Sequence, residues 1–287
     1  MAIKVGIQLF SVRNMMQKDP IGTIEKVAQA GYKYLEPANH DALHDDGIGF
    51  GVPADELKKS LDKFGVKIAS VHIFPFNEEN CRKIIAYNQR IGNNTICLPM
   101  TMFNNREEVL KVAEYCNRMG KIAKEAGMQF LYHNHYHEYQ KFDGETVLDT
   151  IVSNTDPDYV GLELDTFWTM RGGYDPCEVM KKYAGRIKKL HQKDFSKTTI
   201  SPVNIFSAIG EKAHIDMDLF KKYDRPEDFT EIGCGTMDIQ KIIDTANTIG
   251  GIDYVFLEQD FTALPSELES IKVSMANFKK INGLSWN

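Results

Sequence analysis

The feature that most constrains this chain is a repeat of element type. Short apolar runs alternate with longer amphipathic ones from end to end. The apolar runs are VGIQLF (5–10), YKYLEPA (32–38), VKIASVHIF (66–74), TICLPM (95–100), MQFLYHN (128–134), VGLELDTF (160–167), IKKLHQKDF (187–195) and YVFLEQDF (254–261). Between them lie helix-like stretches such as PIGTIEKVAQAG, PADELKKSLDKFG, REEVLKVAEYCNRMGKIAKEAG and MDIQKIIDTANTIGG. Pro20 and Pro53 stand where helices begin, and Gly31, Gly65, Gly92, Gly127 and Gly250 stand just past where helices end. Strands alternating with helices imply a parallel sheet. Eight such units in 287 residues predict an α/β fold of the (β/α)8 TIM barrel type, as one domain over residues 1–287. A doubly wound open sheet would carry a glycine-rich loop after its first strand, where this chain reads FSVRN.

Composition sets the context. The chain is 43% hydrophobic and 26% charged, with a net charge of −6. An acidic balance argues against a nucleic-acid partner, which needs lysine and arginine to displace counterions. The apolar runs are too short to span a membrane. MAIKVGIQLFSVRN enters a strand-like run at once, so no secretory leader is expected. The five cysteines include no CxxC pair, and reduced thiols in a cytoplasmic protein are expected. Nothing in the sequence fixes an oligomeric state, and a homo-oligomer is left open.

A barrel of this type carries its chemistry at the C-terminal ends of its strands. Reading those ends gives Glu36, His72, His133, Asp165, His191 and Glu258. Carboxylates and imidazoles converging on one mouth require a neutralising charge, and a divalent cation supplies it. His133, Asp165, His191 and Glu258 end four consecutive strands and are the expected metal ligands. Mixed His/carboxylate donors suit Mn, Co, Zn or Fe better than Mg. The segment FLYHNHYHEY offers His133 or its neighbour His135 as the strand-five ligand, with His137 expected at the surface. Glu36 and His72 are expected to touch substrate rather than metal, and Trp168 to wall the pocket. Glu258, His72 and His135 are the candidate proton-transfer groups, Lys193 the group that steadies an enolate, and Asp194 a support for His191 or Lys193. Ser196 to Met237 is a long connection after strand seven, expected to fold over a substrate. Gly233 and Gly235 read as a tight turn rather than a phosphate cradle.

Taken in order, the YHNH run, GLELDTFW, KLHQKD, EIGCGTMD and FLEQD resemble the sugar phosphate isomerase/epimerase superfamily, the xylose isomerase-like TIM barrels. The resemblance implies a divalent metal at the barrel mouth and a sugar or polyol substrate. It also places Asp165, His191 and Glu258 at the family's ligand positions on strands six, seven and eight. Two departures stand out. His133 occupies the place where ketose 3-epimerases carry a glutamate, and Trp168 the place where epimerases and the endonuclease IV group carry a histidine. The run His214-Ile215-Asp216 reverses the order that the nuclease site needs. The leading expectation is isomerisation or epimerisation of a keto sugar through an enediolate. A lyase or dehydratase acting on a 3-keto-glycoside or inosose is the second, and a non-catalytic sugar-binding barrel the third.

Overall fold

The computed structural model describes residues 2–199 and 202–286. The apolar runs pair in parallel as staves of one sheet. They are β1 (Ile3–Gln8), β2 (Tyr34–Glu36 with Ala38–Asn39), β3 (Lys67–Ile68 with Val71–Ile73), β4 (Thr95–Leu98), β5 (Gln129–His133), β6 (Val160–Asp165), β7 (Ile187–Gln192) and β8 (Tyr254–Leu257). Each stave pairs with the next, and β8 returns to β1 with Ile7 beside Leu257. The second and third staves, expected as continuous strands, are each in two pieces. Pro37 has no N–H for the ladder and divides β2. The halves still match, Leu35 beside Ile68 and Ala38 beside His72, and so the sheet closes into a barrel.

Helices α1 (Pro20–Gln29), α2 (Ala54–Phe64), α3 (Cys81–Ile91), α4 (Arg106–Glu125), α5 (Val147–Ser153), α6 (Pro176–Lys182), α7 (Ile239–Ile249) and α8 (Glu267–Phe278) link the staves. Their starts are fixed by side chains that accept orphan N–H groups: Asp19 for α1, Asn105 for α4 and Ser266 for α8. Gly65 and Gly92 end α2 and α3 in the left-handed conformation. Among the described residues no helix is long and apolar enough to cross a membrane.

The barrel interior is not uniformly apolar. Side chains on one face of a strand recur every second residue. That period aligns Gly6 with Gln8, Glu163 with Asp165, His191 with Lys193, and Phe256 with Glu258. Low in the barrel, the Phe256 ring takes the space above Gly6, where a Cβ would lie 2.5 Å from it. Above this plug the inward positions become polar, and the site begins there.

Strand seven ends earlier than its apolar run suggests. After Gln192 the chain turns, and Asp194–Phe195 pairs antiparallel with Phe229–Thr230. The long connection beyond it holds a helix, Met217–Tyr223, over the barrel mouth; Ile200 and Ser201 of this connection lie outside the described residues. Phe220 stacks on Tyr136 with ring centroids 5.1 Å apart, and Phe167 stacks between Phe195 and Phe229 at 3.9 and 4.7 Å. Arg171, 1% exposed, ties the segment down: it pairs with Asp228 at 2.7 Å and donates to the carbonyls of Tyr223 (2.9 Å) and Pro202 (3.3 Å).

Candidate active site

A cavity of about 750 Å³ opens at the C-terminal end of the barrel. His72, His133, His135, Lys193, Glu258 and Trp168 reach its floor and walls, while Met217, Phe220 and Asp224 roof it from the connection after strand seven. The outer wall is apolar, with Phe10, Phe74, Met100 and Met102.

The four expected donors meet. His133, Asp165, His191 and Glu258, all buried, each offer a ligand atom within 4.8 Å of the others. Strand pairing explains the convergence: Asp165 stands beside His191 in register, and His191 beside Phe256, two residues before Glu258. His133 Nδ1 is buried and makes only a long contact, 3.4 Å, to Glu163 Oε2. A buried imidazole next to two carboxylates and a second imidazole fits a divalent cation. Of the two neighbouring histidines it is His133 that belongs to this group; His135 stands apart on the cavity wall.

Asp165 does two things at once. Its Oδ1 accepts from the N–H of Trp168 at 2.8 Å and caps the short helix Thr166–Arg171. Its Oδ2 lies 2.6 Å from Lys193 Nζ. Lys193 also contacts Glu258 directly, and its ammonium therefore bridges two of the donors. Burial works against the charge on Lys193, but Asp165, Asp260 and Glu258 outweigh it and raise its pKa. Burial likewise opposes ionisation of Glu258; Lys193 and His191 prevail and hold its carboxyl well below the usual range. His133 is pushed down to about 3, by burial first and then by His191, and is neutral as a ligand must be.

Beneath this layer lies a second one that the strand ends alone do not reveal. Glu163, fully buried, is the same-face neighbour of Asp165 two residues earlier. Its Oε2 lies 2.7 Å from His72 Nε2, 3.2 Å from His191 Nε2, 3.4 Å from His133 Nδ1 and 3.3 Å from Cys97 Sγ. His72, His133, Glu163 and His191 form a second group of four close donors. It shares His133 and His191 with the upper group. The strand alternation in GLELD is the sequence signal for Glu163.

Other expectations need correcting. Glu36, expected at the substrate, is fully buried below the floor, with Oε2 2.5 Å from His191 Nε2 and 3.2 Å from Gln8 Nε2. His72 reaches the cavity wall, but Glu163 occupies its Nε2. His137, expected at the surface, is 2% exposed and held by the Thr101 carbonyl at 2.7 Å, because a turn of 3-10 helix folds it beneath Phe220. Asp194 supports neither His191 nor Lys193. It accepts the N–H groups of Gly233, Gly235 and Met237, each at 3.0 Å. The tight turn expected at Gly233 is present, with φ of 78°. Gly235 lies so close to the Asp194–Phe195 segment that a Cβ would meet the Phe195 carbonyl at 2.2 Å.

Similarity to known proteins agrees with this geometry. A family model described as a xylose isomerase-like TIM barrel matches residues 24–280. An inosose dehydratase of Clostridium botulinum (strain Eklund 17B / Type B) is 32% identical over 265 residues, 83% of this chain and 81% of the relative. A sugar phosphate isomerase/epimerase from Parabacteroides distasonis superposes with a TM-score of 0.76 at 25% identity, covering 99% of this chain and 96% of that one. The IOLI protein, solved with a binding zinc atom, shares the fold with a TM-score of 0.69 at 18% identity, over 97% of this chain and 98% of that one. With its closed barrel, the polar floor at its C-terminal end and a match that runs nearly end to end, this chain belongs to the xylose isomerase-like TIM barrel family.

Proposed function

We propose that this protein is a metal-dependent lyase that eliminates water, or an alcohol, from the carbon β to the ketone of a cyclic keto-polyol or keto-glycoside. The observation that carries the reading is the make-up of the donor set. His133, Asp165, His191 and Glu258 close on one point at the cavity floor, yet strand five supplies an imidazole. An epimerase that works through two opposed carboxylates needs an acid there. Elimination needs only one base, a stabilised enolate and an exit for the leaving oxygen. The inosose dehydratase relative supports the same side.

These four residues would hold a divalent ion. When bound, such an ion supplies positive charge that makes the proton α to a neighbouring ketone more acidic. Lys193 stays protonated between Asp165 and Glu258 and steadies the developing negative charge. Glu258, engaged by Lys193 and His191, is a poor base. His72 is tied to Glu163. His135 is the base best placed: it lines the cavity, its Nδ1 has no hydrogen-bond partner among the described residues, and burial, then His133 and His137, hold it neutral. Trp168, with its ring 5.5 Å from that of His135, backs the sugar face.

Isomerisation of a keto sugar, the leading expectation from sequence, begins with the same proton removal and differs in where a proton then returns. The test is product analysis. Purified protein loaded with Mn²⁺ is incubated in deuterated buffer with an inosose and, separately, with ketoses. The reading expects loss of one water and an enone or its tautomer from the inosose, without epimer. Epimers that accumulate with no loss of water would reverse it.

A further inference from the structure

The roof of the cavity carries a carboxylic acid that the steps above leave unused. Asp224 comes directly after the helix Met217–Tyr223 and lines the cavity together with Lys193, Glu258 and Asp260. Its Oδ1 is buried and has no hydrogen-bond partner among the described residues, and no ion pair there involves it. It belongs to neither group of metal donors. Its backbone is held from both sides: the Asp224 N–H donates to Phe220 O at 3.0 Å, and the preceding carbonyl, that of Tyr223, is held by Arg171 at 2.9 Å. A cavity-lining carboxyl with a fixed backbone and one buried oxygen unclaimed by the protein is arranged to meet a ligand's oxygen.

We infer that Asp224 is the general acid that protonates the departing oxygen, an assignment that rests on the lyase reading. His135 takes the α-proton, which it gives up to solvent when the product leaves, and the C–H electron pair becomes the new carbon–carbon π bond. The β carbon–oxygen bond breaks with its pair going to oxygen, and that oxygen takes the proton of Asp224. The products are an enone and water, or an enone and an alcohol. Asp224 is left as a carboxylate and regains its proton from solvent when the product leaves. Burial pushes the Asp224 carboxyl up to about 6, against the pull of Lys193 and Arg13. An acid with that affinity keeps a protonated fraction near neutral pH and still gives the proton up readily. The acid sits in the connection after strand seven, so proton delivery is coupled to the segment that roofs the site.

The experiment compares leaving groups. Wild type and Asp224→Asn, both loaded with Mn²⁺, are assayed on methyl 3-keto-glucoside, whose alkoxide leaves only when protonated, and on 4-nitrophenyl 3-keto-glucoside, whose phenolate leaves unaided. Exchange of the α-proton with deuterated solvent is monitored in parallel, and thermal unfolding checks that the variant folds. The expected result is a loss of about 100-fold or more on the methyl substrate, against less than about 5-fold on the nitrophenyl one, with exchange retained. Equal losses on the two substrates, or none, overturn the assignment and leave the lyase reading standing. If the wild type exchanges no α-proton and releases no aglycone, the lyase reading itself falls and the assignment with it. If the variant fails to fold, Asp224→Ser and Asp224→Glu are run on the same pair, and only Glu should restore the methyl substrate.

Discussion

His191 Nε2 lies 2.5 Å from Glu36 Oε2, with both side chains fully buried. The other ring nitrogen, Nδ1, faces Glu258 at 2.9 Å. Glu36 thus fixes which nitrogen is turned toward the upper donors. Carboxylates in this position orient a histidine ligand and raise its basicity.

Replacing Glu36 by Gln keeps the shape and removes the charge. The expected outcome is metal binding weaker by about 10–100-fold with the barrel intact. Calorimetric titration of the metal-stripped protein with Mn²⁺ measures it. Equal affinity in the two proteins would mean that His191 does not serve the ion from its Nδ1 side.

Lys193 answers for two buried carboxylates, Asp165 and Glu258. Lys193→Met removes the ammonium they share and leaves only His191 beside Glu258. Losing one partner of a buried pair costs about 3–5 kcal/mol. The metal-free variant should therefore melt well below wild type. A divalent ion bound by the same carboxylates would return much of the loss, because ligands that bind only the native state stabilise it. The Tm gained on adding Mn²⁺ should be larger in the variant. An equal gain in the two proteins would show that Lys193 and the ion do not share these carboxylates.

The range of each interaction decides how far sequence alone reveals it. The staves and the four upper donors lie on single runs whose polar residue comes after an apolar stretch, and a barrel brings consecutive strand ends together. Glu163 stands inside such a run, at GLELD, and looks like an interruption until Asp165 sets the inward face. Glu36 ends its strand as Asp165 does, but Pro37 comes next, and the chain continues along the barrel as Ala38–Asn39 rather than leaving at the mouth. That buries Glu36 one layer down. Sequence misplaces His137 and Asp194 because their partners are remote: Thr101 for one, the Gly233–Met237 turn for the other. No local pattern specifies such contacts.

Arg171 holds the roof without touching the donors. Arg171→Leu would leave Asp228, 1% exposed, with the Thr199 hydroxyl but no countercharge and free the carbonyls of Tyr223 and Pro202. The expected cost is about 3–5 kcal/mol, confined largely to the connection after strand seven. Limited proteolysis should cut this segment sooner in the variant, and kcat/KM should fall, while Mn²⁺ affinity stays at the wild-type level. Slower turnover with unchanged protease resistance would place Arg171's effect elsewhere.

Asp224 also predicts how stability varies with pH. Its carboxyl is raised from 3.8 to about 6, chiefly by burial; Glu258 adds to the rise, and Lys193, Arg13 and Arg171 oppose it. Asp260 faces Lys193, Glu258, Asp165 and Asp224 itself, and burial raises it as well. The native state therefore binds the Asp224 proton more tightly than the unfolded chain does. The stability this contributes is complete below about pH 4 and is lost as pH rises through about 6, where the native state must carry a buried charge. Asparagine carries no such charge. Asp224→Asn should gain on wild type between about pH 4 and pH 7, by at most about 3 kcal/mol, and then hold level. Asp260 titrates in both proteins, so most of its effect cancels in the difference. Urea unfolding of the pair at a series of pH values measures the gap. A gap that does not change with pH, or that narrows as pH rises, would mean that Asp224 keeps its ordinary acidity in the roof.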